Sequence, residues 1–308
     1  MKPVALISFL WTKNSAVLDY YLRNKSRVIL TLDGYLNQQL QDRIQAQGSS
    51  LVVLDSLLNP LEKAGIENNA TQSAAQIQQI FLGDSWRQYA ASMGFEAQQL
   101  NPVLEKDLRS NLAYGIELIS ALEKARSLYQ IELIILNEEW LIAGKYAVWW
   151  AKMTGIPCLH LAHSTALTQY YMVHSLFLSN KIAIFGERDA ENLYDLGLEK
   201  NRLRITGNPA WDVYPFLKEN AAAVKNMVYE KYRLNPDLPL ILCGSTWDSH
   251  GSAKFRKEDN PYVASINLFV ATYKKLADSE VRANFLIKDR SANQVYGEQV
   301  FDEAIAKL

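Results

Sequence analysis

Cysteine is nearly absent from the chain, with two in 308 residues. Cys158 and Cys243 lie far apart in apolar runs, where a thiol behaves as a small buried hydrophobe. A disulfide framework is therefore excluded, and a reducing compartment fits. Charge of one sign is lacking too. The formal net charge is −1 and no basic stripe occurs, so nothing attracts a polyanion and nucleic acid is not an expected partner. No stretch of about 18 apolar residues is present, because Lys152 interrupts the most hydrophobic region, so no membrane span is expected. The apolar run from Pro3 to Trp11 lacks a small-residue cleavage pattern and reads as a first strand rather than a leader. Also missing are zinc-type Cys/His spacing, G-x-x-x-x-G-K-[ST], G-x-S-x-G and any D-x-D pair. Zinc hydrolases, P-loop NTPases and serine hydrolases have no foothold.

What is present is the balance of a globular protein: 49% hydrophobic and 21% charged residues. Short apolar runs alternate with helix-length amphipathic segments, which is the pattern of βαβ units building a parallel sheet, so the expected class is α/β. Candidate strands are Val4 to Leu10, Arg27 to Leu32, Leu51 to Asp55, Ile131 to Leu136, Pro157 to Ala162, Lys181 to Phe185 and Leu203 to Thr206. Being apolar throughout, they belong in a sheet covered on both faces. A helical insertion is expected at about 71–129, a first domain over 1–212 and a linker over 213–236. A second domain starts at 237, with strands at Leu238 to Cys243 and Ala283 to Ile287 and a helix from Pro261 to Asp278 that Asn260 would cap. Two strands and two helices cannot cover a parallel sheet, so this second domain is expected to be unfinished at Leu308.

Several residues sit where open α/β sheets hold ligands, just past a strand's carboxyl end. His163, with a side chain that titrates near neutrality, suits a general base for a hydroxyl acceptor. Asn137, Glu138 and Glu139 follow the fourth strand and are expected to open the next helix, where either glutamate would bind the acceptor or is simply favoured by the helix dipole. His160 reads as a packed strand residue. Gly207 and Asn208 permit a tight turn after the seventh strand. In the second domain, Gly244, Ser245 and Thr246 could let a phosphate approach backbone amides. His250 lies in the same polar loop, and Lys288 and Arg290 offer cations after the following strand.

The run from Lys181 to Asp212, with Glu191-Asn192-Leu193, Gly197, Arg204-Ile205-Thr206-Gly207-Asn208-Pro209 and Asp212, resembles the end of the first domain in GT-B glycosyltransferases. It also resembles their relatives, the non-hydrolysing UDP-N-acetylglucosamine 2-epimerases and the CDP-glycerol glycerophosphotransferases. Ala151 to Thr165 is similar to the helix, G-I-P turn and histidine loop of the same families. The resemblance implies two Rossmann-like domains of GT-B type, the second incomplete, and transfer of a sugar from a nucleotide-activated donor to a hydroxyl acceptor in the cleft between them. It implies His163 as base with Glu138 or Glu139 assisting, and Gly244, Ser245, Thr246, His250, Lys288, Arg290 and Asn208 on the donor side. No cofactor or metal is implied beyond the nucleotide sugar as substrate. The acceptor would be a carbohydrate, a lipid-linked molecule or a polyol. The setting would be surface polysaccharide or glycoconjugate synthesis, in the cytoplasm or at the inner face of the membrane with peripheral association. Ser164 departs from the glycerophosphotransferases' histidine-glycine loop, and Lys288-Asp289-Arg290 from their lysine-x-histidine-proline. Ala162 stands where the epimerases carry glutamate in H-V-E-A-G, and Ser245 and Thr246 replace their histidine-arginine pair. A phospho-polyol transferase, an epimerase relative and a non-catalytic carbohydrate-binding protein are the alternatives.

Overall fold

Parallel strands must be joined by crossovers, and here helices supply them on both sides of one sheet. The computed structural model describes residues 2–11, 14, 16–23, 26–35, 37–139, 141–162, 177–245, 260–288, 302–304 and 306. The elements of the first part are β1 (Val4–Phe9), α1 (Ala16–Leu22), β2 (Val28–Thr31), α2 (Gln38–Ala46), β3 (Ser50–Val53), α3 (Pro60–Leu82), α4 (Asp84–Ser92), α5 (Ala97–Leu128), β4 (Gln130–Leu136), α6 (Ile142–Thr154), β5 (Cys158–Leu161), β6 (Lys181–Ile184), α7 (Glu187–Asp195) and β7 (Leu203–Ile205). The seven strands pair in parallel in the order β3-β2-β1-β4-β5-β6-β7.

The period-2 alternation of β1 explains how both faces are filled. Ala5, Ile7 and Phe9 enter one core with Leu118, Leu122 and Ala125 of α5 and Ala147, Val148 and Trp150 of α6. Leu6 and Leu10 enter the opposite core with Leu18 and Leu22 of α1 and Leu40 and Ile44 of α2. Each fully buried aliphatic side chain contributes about 1.5–3 kcal/mol, so a central strand buried on both faces anchors the domain. Beyond β5, a third cluster around Ile182, Ile184, Leu193 and Leu203 covers the β6 and β7 end.

The helical insertion begins earlier than the expected 71. Asn59 accepts the Glu62 N–H at 2.9 Å while the Glu62 carboxylate accepts the Asn59 N–H at 2.8 Å, with Pro60 between them, so α3 starts at a capping box. The α5 and α6 helices approach closely at Gly115, where an added Cβ would fall 2.1 Å from the Tyr146 ring. Trp150 donates its indole N–H to Glu123 at 2.7 Å, whereas Trp149 is half exposed. Gly197, at φ +86°, ends α7 in the left-handed backbone that its position predicts.

The chain divides into two compact units, Met1–Asp212 and Val213–Leu308. The second contains α8 (Tyr214–Glu219), α9 (Ala221–Lys231), β8 (Leu240–Gly244), α10 (Pro261–Ala277) and β9 (Asn284–Lys288). β8 and β9 pair in parallel as a sheet of their own. Asn260 caps α10 by accepting the Tyr262 N–H at 2.9 Å, and Tyr262, Val263, Ile266 and Val270 bury one face of the helix with Ala304, against which Ile287 packs. Cys158 is buried, but Cys243 is only partly so, because neither face of β8 is fully covered. Among the described residues, no helix is long and apolar enough to cross a membrane.

Candidate functional site at the carboxyl rim of the first sheet

Asn137, the first residue past β4, ties three neighbouring strands together at their carboxyl ends. Its N–H donates to the Phe9 carbonyl at 3.2 Å, its Oδ1 accepts the Trp11 N–H at 2.7 Å, and its Nδ2 donates to the Leu161 carbonyl at 2.8 Å. An asparagine with both ends of its amide used in this way fixes the rim as a unit.

Glu138 and Glu139 follow, in a loop and not in the first turn of a helix as expected, because α6 starts only at Ile142. The cause is steric. A Cβ at Gly144 would lie 1.9 Å from the Glu138 carbonyl oxygen, so only glycine lets the loop fold back onto the helix start. Helix-dipole stabilisation, which acts within the first turn, therefore does not account for these acids. Glu138 is 5% exposed and Glu139 fully buried.

Glu139 is committed to backbone. Its Oε2 accepts the Leu178 N–H at 2.7 Å, and both oxygens lie 3.3 Å from the Ser179 N–H. The same stretch is held from its carbonyl side by Arg202, whose guanidinium donates to Phe177 O at 2.7 Å and to Ser179 O at 2.7 and 3.1 Å. Residues 177–179 are thus gripped by one carboxylate and one guanidinium. His160, buried on β5, tilts against Phe177 with ring centroids 4.5 Å apart and sets its Nδ1 3.6 Å from Glu139 Oε1. Burial raises the Glu139 carboxyl above its usual range, opposed by its bonds to Ser179 and Leu178 and by the Lys145 charge. Burial also pushes the Cys158 thiol up to about 12, although it accepts a hydrogen bond from Ser179 Oγ at 3.4 Å. A thiol held neutral in that way is no nucleophile.

On the other side of Asn137 the rim is aromatic. Tyr35 ends a 3-10 turn, Asp33–Tyr35, after β2 and stacks on Phe9 at 5.6 Å, while Trp11 tilts against it at 5.2 Å. Trp11 and Tyr35 were not singled out from sequence, where one closes an apolar run and the other lies in a turn; an aromatic immediately past a strand end was the signal to read.

Of the residues selected from sequence, Glu139 meets His160 at this rim, and Asn137 and Glu138 directly precede it in the chain. Gly207 adopts φ +74° and the Asn208 carbonyl accepts the Trp211 N–H at 2.8 Å. That turn follows β7, three strands from β4 and so roughly 14 Å away. In the second unit, β8–β9 pairing sets Gly244 opposite Lys288, and the Ser245 N–H donates to the Lys288 carbonyl at 3.0 Å. His163, Thr246, His250 and Arg290 lie outside the described residues. Among the described residues, no three His, Cys, Asp or Glu side chains come together as a metal site requires.

No family model and no curated protein matches the chain. Solved structures do. One is the crystal structure of UDP-GlcNAc 2-epimerase from Neisseria meningitidis bound to UDP-GlcNAc, similar with a TM-score of 0.50 and 12% identity over 100% of this chain and 70% of that one. The likeness is one of fold: an α/β protein of Rossmann-like, GT-B-like architecture.

Proposed function

We propose that the protein is a GT-B-type glycosyltransferase that moves a sugar from a nucleotide-activated donor to a hydroxyl acceptor bound at the carboxyl rim of the first sheet. The observation that carries this reading is Glu138. It is a nearly buried acid just past a strand's carboxyl end, in a loop whose backbone approaches Gly144 too closely for any side chain there, and next to a rim fixed by Asn137. The solved structure of similar fold holds a UDP-sugar, which supports a nucleotide sugar as the partner here.

In this reading His163 takes the acceptor hydroxyl proton and Glu138 orients that hydroxyl. The acceptor oxygen bonds to the anomeric carbon as the bond from that carbon to the phosphate oxygen breaks, and the nucleoside diphosphate leaves with the electron pair. Gly244, Ser245 and Lys288 suit the diphosphate, since a side-chain-free backbone, a hydroxyl and an ammonium group are all matched to anionic oxygens. Glu139 serves the site at one remove, by fixing residues 177–179. Work at the inner face of a membrane on a surface polysaccharide or glycoconjugate is the setting we assign to this activity.

An epimerase reading is favoured by the identity of the similar structure. It is weakened by Ala162, which stands where the epimerases carry a glutamate and cannot supply a carboxylate, and whose N–H is engaged by the Ala183 carbonyl at 2.9 Å.

Calorimetric titration with a panel of nucleotide sugars and nucleoside diphosphates tests the proposal. Binding of at least one is expected, with His163→Ala lowering turnover by about 10²–10⁴ while leaving donor affinity in place. If no member of the panel binds, the enzyme reading fails.

A further inference from the structure

The chemistry proposed above leaves an aromatic wall unused. Phe9 supports Tyr35 at an interplanar angle of 17°, Tyr35 supports the Trp11 ring, and Asn137 fixes the Trp11 backbone by accepting its main-chain N–H. A ring held in this way has already lost the side-chain freedom that binding would otherwise remove. Yet Trp11 keeps 37% of its surface exposed, and Tyr114 of α5, near enough to Tyr35 to act on it electrostatically, keeps 39%.

The surroundings are negative. Tyr35 is pushed up to about 12 by burial first and then by the Glu138 carboxylate. Tyr114 is raised by burial and then by Asp55 and Glu117, and Asp55 is raised by burial and then by Glu117, with Lys63 opposing. These acids come from three different elements, namely the turn after β3, α5 and the loop after β4. Lys63 pairs with Glu117 at 3.3 Å, so the three acids are opposed by one ammonium group, and among the described residues they do not converge as cation ligands do.

We infer that Trp11, Tyr35 and Tyr114, flanked by Asp55, Glu117 and Glu138, form an acceptor subsite for an uncharged sugar ring and discriminate against phosphorylated acceptors. The inference rests on the transferase reading. The C–H face of a pyranose carries slight positive charge and suits the negative face of a fixed indole. Its hydroxyls donate to carboxylate oxygens, each of which carries more than one acceptor lone pair and so accepts a second bond beside an existing one, as Glu117 would beside Lys63. A phosphate on the same ring would enter a partly desolvated negative field, a repulsive element that selects between otherwise similar acceptors.

The test is a ligand-observed NMR titration of the whole protein with methyl glycosides of the common hexoses and N-acetylhexosamines, each against its 6-phosphate. At least one glycoside should bind, with its 6-phosphate about tenfold weaker or worse. Trp11→Ala should weaken glycoside binding about tenfold, the size of one aromatic contact, when measured well below an unfolding midpoint lowered by loss of its packing on Tyr35. Asp55→Asn combined with Glu117→Gln should narrow the gap between glycoside and phosphate. If Trp11→Ala does not fold, Trp11→Phe and the charge variant carry the test. Equal or tighter binding of the 6-phosphates, binding indifferent to Trp11, or no glycoside binding at all would each overturn the inference. A nucleoside diphosphate titrated into the same samples separates the two claims. Nucleotide binding without glycoside binding removes the subsite alone, and absence of both removes the transferase reading with it.

Discussion

Glu139 shows how one residue can combine structural and electrostatic demands. Its carboxylate is sealed from water but satisfied by two backbone N–H groups, so truncation leaves those donors buried and unpaired. Glu139→Ala should cost about 2–4 kcal/mol of stability, read from urea unfolding, and Glu139→Gln should cost less because it keeps one acceptor oxygen. The pH dependence has a definite sign. Because the folded-state pKa is raised, chiefly by burial, the folded protein holds this proton where the unfolded chain has released it. That contribution is complete below the ordinary glutamate range and is lost as pH rises through the raised value. The wild type should therefore lose stability with rising pH across that window relative to Glu139→Gln, and parallel profiles would contradict the account.

Elements, rather than residues, decide where the acids sit. The strands were legible because both faces of the sheet are covered, leaving short apolar runs bounded by turn residues. β1, β4 and β6 accordingly lie within a residue or so of their expected bounds. The start of α3 was legible in principle, in Asn59-x-x-Glu62, but a polar, Gln-rich stretch hid the helical period behind it. The placement of Glu138 and Glu139 ahead of α6 was not legible, because it depends on a backbone approach at Gly144 that no local pattern encodes. Gly144→Ala should shift that loop or helix and destabilise the protein by about 1–3 kcal/mol; an unchanged unfolding midpoint would remove the steric argument. Arg202 tests the neighbouring connection. Loss of its bonds to Phe177 and Ser179 in Arg202→Ala should speed amide hydrogen exchange at Leu178 and Ser179 without altering that of the β1 amides.

At the scale of the whole molecule, a sheet ordered β3-β2-β1-β4-β5-β6-β7 brings residues distant in sequence to one rim. Trp11, Tyr35 and Asn137 become neighbours only because β1 pairs with β2 on one side and β4 on the other, which is why the aromatic half of the site was invisible along the chain while its acidic half, contiguous in sequence, was not. The second unit repeats the logic on a smaller sheet, where β8–β9 pairing brings Gly244 to Lys288 across more than forty residues.

Product analysis by mass spectrometry tests the central claim most directly, with the protein, a panel of nucleotide sugars and a mixture of glycosides incubated together. The account predicts an acceptor heavier by one sugar residue, appearing in step with nucleoside diphosphate release and lost in Glu138→Gln. A nucleotide sugar converted to its epimer with the acceptors untouched, or no nucleotide sugar consumed at all, would contradict it.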